Sequence, residues 1–357
     1  MKFALAGGGT GGHAYPSITV GEELRDRANA EVVYYGSEHG PERALATAAG
    51  FAYRAIPASQ VRGGPGRMLL GGLNLLRGRL AAQRALAADR PAALFATGGY
   101  AAAPVGWAAP AVGVPLLVFL PDVRPGWAVR FLARYATRVA CSVDASIAAL
   151  PASRTVVTGY PVRRQFTEAT RADGVARFGL QPLLPTLLVT GGSLGAHRLN
   201  VALAAGLPRL LEHAQVLHVS GRDEEPWLQA ERERLPASLQ ERYHLHGYTE
   251  EMASAMAASD LAITRAGAST LGELPMSGLP AIVIPGDFSD QHANADYLAS
   301  RGAAIVLRGD ELHRLEGEAL RLLADAPARA AMVTAMRALA RPDAAAHLAT
   351  IMQEIAA

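Results

Sequence analysis

Residues 2–16 read KFALAGGGTGGHAYP and residues 186–197 read TLLVTGGSLGAH. In both, a short apolar run enters a loop dominated by glycine, and a histidine follows at position 13 or 197. An apolar run of this kind is a strand buried on both faces, and a glycine-rich exit leading into helix-forming sequence is the first turn of a parallel βα unit. Because the same punctuation opens each half of the chain, two doubly wound, Rossmann-like α/β domains are expected. Ligands of such folds bind outside the carboxyl ends of the strands, so the two glycine loops should face a shared cleft.

Working outward, apolar runs alternate with alanine- and leucine-rich helical stretches. Expected strands in the first half are residues 3–6, 32–36, 94–97, 116–120, 139–142 and 155–158. In the second half they are 186–190, 216–220, 243–247, 261–264, 281–285 and 304–307. This rhythm means parallel sheets covered on both faces. The domains are expected at 1–160 and 161–340, divided within TGYPVRR (158–164), with a helix in 341–357 that packs back across them. A length of 357 residues suits two cores rather than one. No charged residue lies between Arg90 and Asp122, a span long enough to cross a bilayer. Gly98, Gly99, Pro104, Gly106, Pro110, Gly113 and Pro115 interrupt it, so it reads as strand, turn, short helix and strand inside the first domain. Cys141 is the only cysteine, which rules out an intrachain disulfide and a cysteine metal cluster. With no signal-peptide pattern at the start, a cytoplasmic location is expected.

Gly7-x-Gly9-x-x-Gly12 satisfies the dinucleotide fingerprint, which by itself says only that the turn needs glycine and that a helix N-terminus is open to an anion. His13 is a candidate base there, or simply a cap for the helix. The segment TRAGASTLGELPMSGLPAIVIP (264–285) is more specific. A strand ends at Thr264, a turn of small residues follows, and Ser269 and Thr270 open a helix whose amides could hold a diphosphate. Glu273, one turn on, could accept from a ribose diol or could simply favour the helix start. Gln291 and Asn294 in DQHANADYL (290–298) are amides suited to sugar hydroxyls. No Asp-x-Asp occurs to grip a metal and a diphosphate, so helix dipoles with Arg163 or Arg265 would have to neutralise a leaving group. Neither a metal nor a cofactor is expected.

Residues 1–160 carry 16 Lys and Arg against 9 Asp and Glu, and the remainder 18 against 23, so a basic half is joined to an acidic one. The first half should meet an anionic partner, nucleic acid or membrane lipid. VRGGPGRMLLGGLNLLRGRLAAQRAL (61–86) interleaves arginines with apolar residues. Arg67, Met68, Leu69, Leu73, Leu76, Arg77 and Arg79 could lie on an anionic membrane surface. The same stretch reads equally as an ordinary helix with its leucines in the core.

Taken in order, GGGTGGHAYPSITVGEEL (7–24), ATGGYAAAP (96–104), GYPVRRQF (159–166), VTGGSLGAHRLN (189–200), the 264–285 segment and DQHANADYL resemble the MurG family of peptidoglycan N-acetylglucosaminyltransferases over nearly the whole chain. That resemblance implies a GT-B fold of two Rossmann-like domains and metal-independent, inverting transfer. The implied donor is UDP-N-acetylglucosamine, and the implied acceptor is the 4-hydroxyl of an undecaprenyl-pyrophosphoryl N-acetylmuramoyl pentapeptide. The protein would work peripherally on the cytoplasmic face of the membrane, without nucleic acid, the first domain facing acceptor and membrane and the second the UDP-sugar. It further implies His13 as general base, with Thr10, Gly11 and Gly12 of the first loop as donor-binding residues. Arg163, Ser193, Thr249, Ala268, Ser269, Thr270, Leu271, Gly272, Glu273 and Gln291 match donor-binding positions, Thr249 through its backbone. Where the family has His-Glu-Gln-Asn, this chain has Phe119-Leu120-Pro121-Asp122, placing Asp122 at the asparagine that touches the donor sugar. The alternatives are another GT-B transferase acting on a lipid or secondary metabolite, a nicotinamide-dependent dehydrogenase with Glu38 on the ribose, and a membrane-surface binding protein.

Overall fold

Strands β1 (Lys2–Ala6), β2 (Glu31–Gly36), β3 (Ala52–Ala55), β4 (Ala93–Ala96), β5 (Leu116–Leu120), β6 (Arg138–Cys141) and β7 (Thr155–Val157) form one sheet in a computed structural model. Their order is β3-β2-β1-β4-β5-β6-β7, all pairs parallel. A second sheet takes β8 (Thr186–Thr190), β9 (Gln215–Val219), β10 (Tyr243–His246), β11 (Leu261–Arg265), β12 (Ala281–Ile284) and β13 (Ala304–Val306) in the order β10-β9-β8-β11-β12-β13, again all parallel. The structure describes residues 1–9, 11–59, 65–192, 196–286 and 291–357, with residues 65–70 in backbone only. The chain divides into one unit of Met1–Arg163 with Arg341–Ala357 and another of Arg164–Ala340.

In each sheet the strand order reverses once, between β1 and β4 and between β8 and β11. Such a reversal sends successive helices to opposite faces and leaves a crevice at the carboxyl ends, where a ligand can reach the backbone. Register brings the loops together: Ala6 pairs with Ala96 and Thr190 with Thr264. Gly7 therefore lies beside Thr97, and Gly191 beside Arg265.

Burial follows the strand pattern. Ala4 and Ala6 of β1 pack with Ala82, Leu86, Ala102 and Val105 of the helices Pro65–Asp89 and Gly99–Ala108. The helix Gly11–Ala28 crosses the sheet too, where a Cβ on Gly21 would overlap Leu5 and Phe51. The terminal helix Ala344–Ala356 packs on Gly11–Ala28, β4 and β5 within the first unit. Leu86 and Leu348 are fully buried, each contributing about 1.5–3 kcal/mol. The charge-free stretch forms β4, a helix, a 3-10 turn at Ala109–Val112 and β5. Among the described residues no helix is long and apolar enough to cross a membrane.

β3 was not among the expected strands. It is a four-residue edge strand, AYRA, with one neighbour and a largely exposed burial pattern, so it carries no apolar run to read. The Tyr34–Tyr53 ring stack, 6.0 Å between centroids, and the Tyr53 phenol donating to the Ser37 carbonyl at 2.6 Å secure it.

Candidate active site

The first reversal point is built around His13, in the opening turn of the helix Gly11–Ala28. Its Nδ1 lies 3.0 Å from the Thr97 carbonyl oxygen. A carbonyl only accepts, so in the neutral ring this contact places the proton on Nδ1 and leaves Nε2 as the acceptor. Thr97, fully buried, also donates its hydroxyl to the His13 carbonyl at 2.6 Å, which fixes ring and backbone together. The Tyr34 phenol donates to the Gly7 carbonyl at 3.0 Å, and that of Tyr160 to the Gly12 carbonyl at 3.3 Å. Gly9 has φ +90° and a Cβ there would meet the Tyr100 ring, so glycine is required on both counts. Gly11 and Gly12 begin the helix; Thr10 lies outside the described residues.

Arg163 sits with this group, its guanidinium 4.7 Å from the Tyr15 ring centroid, and it is the last residue of the first unit before the chain leaves it. Asp122 follows the end of β5, half-buried, its carbonyl accepting from the Ser146 hydroxyl at 3.3 Å. Phe119 and Leu120 are buried core residues, Phe119 stacked 6.0 Å from Phe95. The departure at 119–121 thus exchanges polar side chains for core ones.

The second reversal point carries Ala266–Gly267–Ala268–Ser269 between β11 and the helix Thr270–Ser277. The amides of Thr270, Leu271 and Gly272 donate to the carbonyls of Gly267, Ala268 and Ser269 at 3.0–3.1 Å, closing tight turns. The expectation that this helix start presents free amides is thereby corrected for Thr270, Leu271 and Gly272. Ala268, Thr270 and Leu271 are buried, while Ser269 and Glu273 are partly exposed. Gln291 Oε1 accepts from Gly286 N at 2.8 Å and from Arg265 Nη2 at 3.3 Å. Its oxygen is committed, so only Nε2 can face a sugar, as a donor. Asn294, expected near sugar hydroxyls, is instead fully buried and donates to the Ala266 carbonyl at 3.0 Å, bracing the turn from behind. The Thr249 hydroxyl accepts from Glu251 N at 3.0 Å, so its side chain is engaged within its own turn. Ser193 lies outside the described residues.

Behind the second glycine loop, His218 is fully buried, with Nε2 3.1 Å from Asn200 Oδ1 and Nδ1 2.8 Å from the Tyr243 phenol. Burial, against a weaker pull from Glu224, lowers it to about 3, so the ring is neutral. Burial raises the Glu224 carboxyl, but hydrogen bonds from His197, Trp227 and Asn200 bring it below the usual carboxylate range. These contacts tie His197 and Asn200, at the start of the helix His197–His213, to the core of the sheet.

On the helix Pro65–Asp89, Leu73, Leu76 and Leu80 are 50%, 48% and 57% exposed, and Arg77 and Arg84 lie exposed among them. Gly71, Gly78, Ala82 and Leu86 are buried on the opposite face. Arg79 departs from the expected membrane-facing set: it turns inward, 4.2 Å over the Trp107 ring. The side chains of Arg67, Met68 and Leu69 lie outside the described residues.

Thr97 and Asn294 were not identified as positioning groups from the sequence. Thr97 stands inside the recognised ATGGY motif, a signal that could have found it, whereas nothing local marks Asn294 as buried.

Two doubly wound parallel sheets, with a histidine at one reversal point and a helix N-terminus at the other, define a protein of the GT-B glycosyltransferase type. Residues 3–141 match the glycosyltransferase family 28 N-terminal domain and residues 186–348 its C-terminal domain. The UDP-N-acetylglucosamine–N-acetylmuramyl-(pentapeptide) pyrophosphoryl-undecaprenol N-acetylglucosamine transferase of Roseiflexus sp. (strain RS-1) is 41% identical over 417 aligned residues, covering 99% of this chain and 95% of its own. The protein of the same name from Thermus thermophilus is 38% identical, covering 98% of both chains. The crystal structure of Acinetobacter baumannii MurG matches with TM-score 0.78 and 26% identity over 99% of both chains. The kitacinnamycin glycotransferase, at 16% identity and TM-score 0.74 over 100% of this chain and 99% of its own, shares the fold. The chain belongs to glycosyltransferase family 28, within its MurG group.

Proposed function

We propose that this protein transfers N-acetylglucosamine from UDP-N-acetylglucosamine to the 4-hydroxyl of the N-acetylmuramoyl unit of an undecaprenyl-pyrophosphoryl pentapeptide, completing the lipid-linked disaccharide of peptidoglycan. The observation that carries the reading is the His13 ring, whose Nε2 is left as an acceptor by the Thr97 contact. His13 takes the proton as the acceptor oxygen attacks the anomeric carbon. The carbon–oxygen bond to UDP breaks on the opposite face, the electron pair leaves with the diphosphate, and the configuration inverts.

On the donor side, Glu273 accepts from the ribose diol, Gln291 Nε2 donates to the sugar and the Thr249 backbone meets the uracil. The Thr270–Ser277 dipole and the loop of Ser193 stabilise the departing diphosphate. Ala268, Ser269, Leu271 and Gly272 shape the turn against which it lies, and Arg163, Asp122, Thr10, Gly11 and Gly12 complete the contacts. The exposed leucine and arginine stripe of Pro65–Asp89 holds the protein peripherally on the anionic cytoplasmic leaflet, where its acceptor resides. His13→Ala is expected to keep UDP affinity by calorimetry while transfer to an acceptor analogue falls at least a hundredfold. Normal turnover by that variant would refute the base.

A further inference from the structure

Glu42 is a fully buried carboxylate for which the reaction described above has no use. It opens the short helix Glu42–Ala48 after β2, yet its Oε2 accepts from Gly9 N at 3.2 Å, 33 residues back in the first glycine loop. Oε1 accepts from Ser37 N at 2.9 Å and from the Ser37 hydroxyl at 2.6 Å. A Cβ on Gly8, Gly36 or Gly40 would overlap this side chain. Part of the glycine demand in the loop therefore comes from within the protein: a carboxylate, not a substrate phosphate, approaches Gly8 and takes the Gly9 amide. Three donors converge on two oxygens of an anion, the arrangement that makes a buried carboxylate a rigid anchor.

We infer that Glu42 is a positioning residue of the acceptor-side loop: it fixes Gly9, and through Gly9 the start of the helix that carries His13. The inference rests on the proposed role of His13. An anchor acting at this distance shows itself chiefly in turnover, because a small displacement of a catalytic base is amplified in rate. The uracil, ribose and diphosphate contacts proposed for the donor lie at the other reversal point, and only those of Gly11 and Gly12 move with the loop.

Glu42→Gln is the discriminating change. Its amide offers one acceptor oxygen, and with that oxygen on Ser37 the amino group faces the Gly9 N–H, donor against donor. With UDP-N-acetylglucosamine and a soluble acceptor analogue, kcat is expected to fall about tenfold or more, the donor KM staying within about twofold. Should Glu42→Gln not fold, as judged by circular dichroism and thermal melting, Glu42→Asp reads the same split, since the shorter carboxylate cannot span Gly9 and Ser37. An unchanged kcat in a folded variant, a parallel rise in donor KM, or unfolding of both variants overturns the inference. His13→Ala, run alongside, separates the two readings. If it turns over normally the base assignment fails; if it is inactive while Glu42→Gln is normal, only the anchor fails.

Discussion

Thr97 holds His13 twice, through its carbonyl at the ring and its hydroxyl at the main chain, and so one residue sets both tautomer and position. Gln291 shows the same economy on the donor side, because an oxygen committed to Gly286 and Arg265 leaves a single donor for the sugar. Gln291→Glu keeps an acceptor for those two partners but removes the donor. The donor KM is expected to rise about tenfold with the melting temperature little changed, as steady-state kinetics and calorimetric melting would register. An unchanged KM would place the sugar elsewhere. At this scale the sequence identified residue types well and directions poorly. Gln291 and Asn294 are both amides three positions apart, and only the fold sets one against Gly286 and Arg265 and buries the other.

The helix Pro65–Asp89 separates its two faces by composition. Glycine and alanine on the inner face allow close approach to Gly99–Ala108, whereas the outer face leaves half-exposed leucines between arginines. Replacing Leu73, Leu76 and Leu80 by serine removes about 1 kcal/mol of burial each on membrane contact. Co-sedimentation with phosphatidylglycerol vesicles is then expected to weaken about a hundredfold, while turnover of a soluble acceptor analogue stays normal. Equal vesicle binding would assign the stripe no part in docking. The sequence offered a membrane-facing and a core-facing reading of these leucines with equal support. Burial leaves Leu73, Leu76 and Leu80 exposed and turns Gly71, Gly78, Ala82 and Leu86 inward, and Arg79 goes to the inner face because Trp107 provides a ring for its guanidinium.

At the scale of the whole molecule, the buried histidines of the second sheet make stability depend on pH in the range just below neutrality. Burial lowers His218 to about 3, and burial likewise lowers His244 and His246. The unfolded chain protonates such a ring near pH 6.5 and the folded chain refuses the proton until far lower. Stability is therefore full above that pH and lost as pH falls, by about 1.4 kcal/mol per unit for His218. Urea unfolding of the second unit is expected to lose about 2 kcal/mol between pH 7 and pH 5, and a flat profile would contradict the buried network. By itself, the sequence determined the alternation of strands and helices, the two glycine exits and the histidine that follows the first, because strand period, glycine and motif spacing are local properties of the chain. β3, the inward turn of Asn294 and Arg79, and the carboxylate of Glu42 beneath Gly9 were decided only by tertiary structure. Each depends on a partner distant in sequence, and a side chain's direction is set by what it packs against.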